Sequence, residues 1–170
     1  HIKSHTESIK AVDYETIDTL VIAGGVGVTR ALDDFKLLNW ISQAATYARR
    51  VVSVCTGAFI LAELGLLDGR SATTHWAWLD RFTQSYPTVD VEPDAIFVKD
   101  EKFYTSAGIT AGMDLALALD EEDFGTQKSL AIARHWLLYA KRPGGQSTFS
   151  LFVPEQSSEQ NEMRPLISLI

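Results

Sequence analysis

Residues 18–25, DTLVIAGG, form a short apolar run that stops at Gly24-Gly25, and residues 51–55, VVSVC, form a second that ends in the chain's one cysteine. Runs of this length, rich in β-branched residues and closed by glycine or a turn, predict buried strands. Between them Leu32, Phe35, Leu38, Ile41, Ala45 and Ala48 recur in steps of three and four, which predicts one amphipathic helix over 31–48. A looser alternation at Ile2, Ile9 and Val12 predicts two short, partly exposed strands within 1–17. After the second buried strand, TGAFILAELG predicts a helix that stops near Gly65, and Asp68-Gly69 turns the chain into a short strand. A helix from about His75 to Tyr86 is ended by Pro87, and IFVKDEKFYTSAG predicts two strands joined at Asp100-Glu101. Leu115, Leu117 and Leu119 alternate as in a strand, yet the length and the alanines of 110–124 favour a helix with Thr110 as its N-cap. A last helix is expected over 126–140, ahead of Pro143-Gly144-Gly145. The polar stretch VPEQSSEQNEMRP then has no usable period and is expected to be a linker leading to LISLI.

Strands alternating with helices imply an α/β domain with a parallel sheet and helices on both faces. In such sheets, ligands gather at the carboxyl ends of the strands. Gly24-Gly25, Cys55 and Ser106-Ala107-Gly108 all fall at predicted strand ends, and that shared position marks a candidate site.

Composition narrows the function classes. A chain of 170 residues, 46% of them hydrophobic, supports one substantial core. The net charge is −7, and the only local basic groups are Arg49-Arg50 and Lys141-Arg142. Neutralising phosphates requires a basic face, so these residues alone make a poor DNA-binding module and a poor membrane-surface binder. The longest apolar runs fall short of the roughly 18 residues a spanning helix needs. One cysteine excludes an intrachain disulfide framework, and with no basic-then-apolar leader a reducing cytoplasm is the expected location.

Cys55 carries the most specific chemistry. A nucleophile elbow needs small residues two before and two after its nucleophile, and here those are Ser53 and Gly57. The start of the following helix favours an anion at that point. The alternative is a small core residue closing an apolar strand, which is common for cysteine. Cysteine hydrolases pair the thiolate with an oriented histidine. His75 opens a helix beyond a strand end and is one candidate; His135 lies mid-helix; each is otherwise a structural histidine. AGGVGV follows a strand but lacks the third glycine and the downstream acid of a dinucleotide fingerprint, so no nucleotide cofactor is expected. Main-chain N–H groups at Gly24-Gly25 are a candidate oxyanion or anion hole. His1 and His5 lack a third ligand, so no metal site is expected. Trp76, Trp78 and Trp136 are expected in the core or an interface. The candidate set is therefore Cys55 and His75 for catalysis, with Gly24, Gly25, Cys55, Thr56, Ser106, Ala107 and Gly108 around a ligand.

The segments DTLVIAGG, SVCTGAFILAELGLLDGRSATTHW, YTSAGITAGMDLAL, EEDFG and KRPGGQSTFS together resemble the class I glutamine amidotransferase-like domain that forms the N-terminal half of a subgroup of AraC-type transcriptional regulators. The resemblance covers roughly residues 18–150. Isonitrile hydratases and the wider cysteine-hydrolase superfamily share the elbow segment. It implies a flavodoxin-like fold, a three-layer α/β/α sandwich with a mostly parallel sheet. It also implies that residues 1–147 are a sensor domain lacking its first strand and helix. Residues 148–170 would then lead to a helix-turn-helix DNA-binding domain not in this chain. Catalytic amidotransferases have a His-x-Glu pair near the end of the domain, whereas His135 is followed by Trp136-Leu137; the protease-like branch has histidine directly after the elbow cysteine, where this chain has Thr56.

Three functions follow as expectations. The first is a sensor whose pocket around Cys55, floored by Gly24-Gly25, binds a small effector and biases a homodimer that reaches DNA through the further domain. The second is a cysteine-dependent hydrolase or hydratase acting on a small nitrogen-containing compound. The third is a redox sensor in which Cys55 oxidises to a sulfenic acid.

Overall fold

A computed structural model of the chain describes residues 6–138, 142 and 144–147. A four-stranded sheet is built from β1 (Thr19–Ile22), β2 (Arg50–Val54), β5 (Phe97–Asp100) and β6 (Phe103–Ser106), in the order β1-β2-β6-β5. β1, β2 and β6 run parallel, while β5 is antiparallel to β6 across the turn at Glu101. A second, two-stranded parallel sheet pairs β3 (Ser71–Ala72) with β4 (Asp90–Val91). The helices are α1 (Val28–Leu32), α2 (Phe35–Tyr47), α3 (Ala58–Glu63), α4 (Leu79–Ser85), α5 (Ile109–Phe124) and α6 (Thr126–His135). This is an α/β fold with a mixed, mostly parallel sheet, as the alternation of elements predicts.

The period of two along β2 divides the core between the two faces of the sheet. Val51 joins Leu20 and Ile22 of β1, Phe103 of β6, and the apolar sides of α2 and α3 in one buried cluster. Val52 points the other way, against Tyr104 and Leu115 of α5. Phe82, Leu61 and Leu67 are fully buried in the first cluster; side chains of this size each contribute about 1.5–3 kcal/mol on burial. Phe82 packs edge-on against Phe59 at 5.0 Å between ring centroids.

Four expectations are corrected. The alternating region before β1 forms two short 3₁₀ turns, Ile9–Ala11 and Tyr14–Thr16, in place of strands; residues 1–5 lie outside the described residues. Ser8 Oγ accepts from Lys10 N at 3.3 Å and Asp13 Oδ1 from Glu15 N at 3.1 Å, so local side-chain bonds outcompete pairing. The helix expected over 31–48 is two helices, because Asp34 stops the first and caps the second through Lys36 N and Leu37 N. Thr110 is not an N-cap; α5 starts at Ile109 after Gly108 in an extended conformation, with no side-chain cap. The last helix ends at His135, and residues 139–140 of the expected span lie outside the described residues, as does the linker 148–170.

Candidate functional site

The end of β2 brings the elbow into being. Cys55 has φ 57°, a left-handed conformation that a residue with a Cβ adopts only under constraint. A 3₁₀ turn, Cys55–Gly57, follows immediately and leads into α3. Two glycines let the chain pack this tightly. A Cβ on Gly24 would lie 2.6 Å from both Thr56 N and Val54 O, and one on Gly57 would press into the Ile22 carbonyl. Thr74 Oγ1 donates to the Cys55 carbonyl at 2.9 Å and so holds the strained residue from behind. Thr73 and Thr74 are fully buried, and Thr73 N donates to Thr105 Oγ1 at 2.8 Å.

Cys55 is partly exposed and lines two cavities. The first, about 330 Å³, lies between α1, the elbow and α4; its apolar walls are Val26, Val28, Leu32, Phe59 and Trp78, with Thr29, Thr56 and Arg81 as polar members. The second, about 320 Å³, lies between the elbow and the first turn of α5, and includes His75, Gly108, Thr110, Arg142 and Gln146. An apolar chamber thus meets a more polar one at a single thiol.

His75 takes a defined state. Its Nδ1 accepts the Ala77 N–H at 3.2 Å, so the neutral ring carries its proton on Nε2. Burial pushes its pKa down, which keeps the ring neutral at physiological pH. The ring lies over Gly108, where a Cβ would come within 3.1 Å of Cδ2. A ring in this state donates a hydrogen bond from Nε2 and does not accept a proton there.

The other expected residues divide. Gly25 and Thr56 line the apolar cavity, and Ala107 and Gly108 line the polar one. Gly24 instead lines a groove beside β1, and its role is the close approach to the elbow. The Gly25 N–H donates to Thr56 Oγ1 at 2.8 Å, so it is already engaged within the protein. Ser106 is fully buried, with its hydroxyl on Ser53 O at 3.4 Å, and lines neither cavity. His135 is exposed at the end of α6, away from both cavities. None of the three tryptophans is a core residue: Trp76, Trp78 and Trp136 are 49%, 40% and 67% exposed, which corrects the core expectation, and Trp78 walls the apolar cavity.

Sequence reasoning missed Thr74, Arg142 and Gln146 as site residues. Gln146, 4% exposed, sends Nε2 to Thr73 Oγ1 at 3.1 Å, Thr74 O at 3.0 Å and Ala95 O at 2.9 Å. Arg142 donates from Nε to Asp114 Oδ2 at 2.8 Å and from a terminal nitrogen to Thr110 Oγ1 at 3.3 Å. Both belong to the KRPGGQS stretch, whose mix of proline and glycine turn residues, two cations and one amide was the available signal.

A strained cysteine on a strand-to-helix elbow, at the carboxyl end of a mostly parallel sheet, defines a class I glutamine amidotransferase-like domain. The model of the DJ-1/PfpI family matches residues 3–122, and the chain belongs to that family. It is 39% identical over 133 residues to the isonitrile hydratase of Pseudomonas putida, covering 77% of this chain and 56% of that protein. It is 36% identical over 126 residues to the HTH-type transcriptional regulator CdhR of Pseudomonas aeruginosa, covering 74% of this chain and 37% of the regulator. The crystal structure of a THiJ/PfpI family protein from Pseudomonas syringae superposes with a TM-score of 0.65 at 29% identity, covering 74% of this chain and 51% of that one. The chain therefore spans about half or less of the length of these relatives. Among the described residues no helix is long and apolar enough to cross a membrane.

Proposed function

We propose that this chain is the effector-sensing domain of a transcriptional regulator, with the two cavities that meet at Cys55 as its small-molecule site. The observation that carries the reading is the state of His75. The one imidazole lining a Cys55 cavity, among the described residues, has Nδ1 occupied by a backbone N–H and its proton on Nε2. It is therefore suited to hold a ligand and unsuited to deprotonate the thiol. The similarity to a regulator over three quarters of the chain supports the same reading. The acidic composition favours DNA contact through a separate domain. An effector acts by binding two arrangements of the protein with different affinity, and a homodimer is the simplest pair of arrangements to bias.

The test uses the full-length gene product. Metabolites that raise its melting temperature are identified, then added while its binding to DNA upstream of its own gene is followed by fluorescence anisotropy. A compound that stabilises the protein, changes DNA affinity and is not consumed supports the sensor. A second reading rests on the 39% identity to an isonitrile hydratase. Steady consumption of an isonitrile that is lost in Cys55→Ser, with the fold intact, establishes that reading and sets the sensor aside.

A further inference from the structure

The cavity between the elbow and α5 has a polarity opposite to that of the chain as a whole. The protein carries a net charge of −7, yet no acidic side chain lines this cavity among the described residues, and Arg142 does. His75, with Nδ1 taken, presents Nε2–H as a donor beside Gly108. Gly108, Ile109, Thr110 and Ala111 form another wall, and they are the N-cap and first turn of a 16-residue helix that no side chain caps. Free N–H groups and the positive end of the helix dipole therefore border the space. Gln146 lines the same cavity, and its buried Oε1 has no hydrogen-bond partner among the described residues. Two donor sources, His75 and the helix turn, thus border a space whose far side is Cys55. Asp114 compensates part of the Arg142 charge from behind, so the helix turn and His75 carry the donor role.

We infer that this cavity is a carboxylate subsite: the ligand is a small carboxylic acid whose carboxylate takes His75 Nε2–H and the first-turn N–H groups of α5, within a few ångströms of the Cys55 thiol. The inference rests on the Cys55 cavities being the ligand site and adds the chemical class of the ligand.

Two alkylating reagents test it directly, because Cys55 is the chain's one cysteine. Iodoacetate and iodoacetamide react in the same way: the thiolate attacks the methylene carbon, a C–S bond forms and iodide leaves with the C–I electron pair. They differ in presenting a carboxylate or an uncharged amide. Both need the thiolate, so its population cancels in the ratio of their rates. The ratio is measured by intact mass on the folded chain and on the chain in urea. A net charge of −7 repels iodoacetate, so global electrostatics lowers the folded ratio, whereas the subsite raises it. The expected result is a folded ratio about tenfold above the urea ratio, as one charge-assisted hydrogen bond supplies. The rise should fall by half or more in both Gly108→Ala, which crowds His75, and His75→Phe, which removes the donor. Circular dichroism confirms that the variants fold, and His75→Leu provides a third variant if either does not.

A folded ratio equal to or below the urea ratio overturns the inference. So does a raised ratio that all folded variants keep, and so does a Cys55 that neither reagent reaches before unfolding. None of these outcomes involves DNA. A raised, His75-dependent ratio in a protein whose DNA affinity no carboxylate alters would retain the subsite and reject the sensor.

Discussion

The elbow is held by contacts that admit no extra atom, and this sets the cost of single substitutions. At Gly57 a methyl group would collide with the Ile22 carbonyl, a backbone atom that cannot rotate away. Gly27, two residues beyond Gly25 at the start of α1, has open space around its missing Cβ and an ordinary negative φ. Gly57→Ala is therefore expected to destabilise the chain by about 2–4 kcal/mol, while Gly27→Ala stays within about 0.5 kcal/mol. Urea denaturation midpoints of the two variants against the parent check this. Equal effects would mean that β1 and the elbow are not in rigid contact. The same residue-level logic explains what the sequence could show. Ser53 and Gly57 flank Cys55 at the spacing of an elbow, so the turn was legible. Thr74, which bonds to the strained carbonyl, was not, because its partner lies 19 residues away and threonine in a strand-rich region carries no local mark.

At the level of elements, charge fastens the edge of the sheet to a helix. Asp18 ahead of β1 bonds Arg49 at 2.8 Å, Arg49 reaches Asp123 of α5 at 3.1 Å, and Arg50 of β2 meets Asp123 at 2.6 Å. The Arg49 guanidinium holds the Asp18 carboxyl down at about 2 from an ordinary 3.8, and Arg49 with Arg50 lowers Asp123 as well. A carboxyl whose folded pKa is depressed adds stability that is complete above its unfolded value and lost as pH falls through the folded one. The chain is thus expected to lose stability between about pH 4 and pH 2. Arg49→Ala should be less stable near pH 6 and show a shallower acid loss in that window. Asp18 is well exposed, so raising the salt concentration should narrow the difference. Thermal unfolding across pH 2–6 at two salt concentrations measures both, and parallel curves for the two proteins would remove the network from the account of acid stability. Elements with strong local signals, β1, β2 and the β5–β6 hairpin, were readable in advance. The turns at Ile9–Ala11 and Tyr14–Thr16 were not, because one Ser or Asp side chain bonded to its own backbone outweighed a weak alternation.

In the molecule as a whole, a short hydrogen-bond chain joins the elbow to Gln146 and Ser147. The Cys55 carbonyl accepts from Thr74 Oγ1, the Thr74 carbonyl accepts from Gln146 Nε2, and the Gln146 N–H donates to the Asp94 carbonyl at 2.9 Å. Asp94 Oδ1 accepts from Ser147 N at 2.8 Å, so the loop after β4 grips the same segment. Arg142 and Gln146 wall the Cys55 cavity, so a displacement of the elbow reaches Gln146 through two bonds. The separation of 72 residues between Thr74 and Gln146 is why no periodicity or spacing could reveal it. If the chain of bonds acts as a unit, its two ends are coupled in energy. Gln146→Leu leaves Thr74 O and Ala95 O without this donor and should cost about 1–3 kcal/mol; Thr74→Val leaves the Cys55 carbonyl without its donor and should cost a similar amount. Once either link is cut the other has less to hold, so the double variant should fall short of the sum by more than about 0.5 kcal/mol. A double-mutant cycle from urea unfolding measures that shortfall. Strict additivity would mean that the elbow and the Gln146 side chain are anchored independently, and that a ligand at Cys55 must act on the rest of the protein by another route.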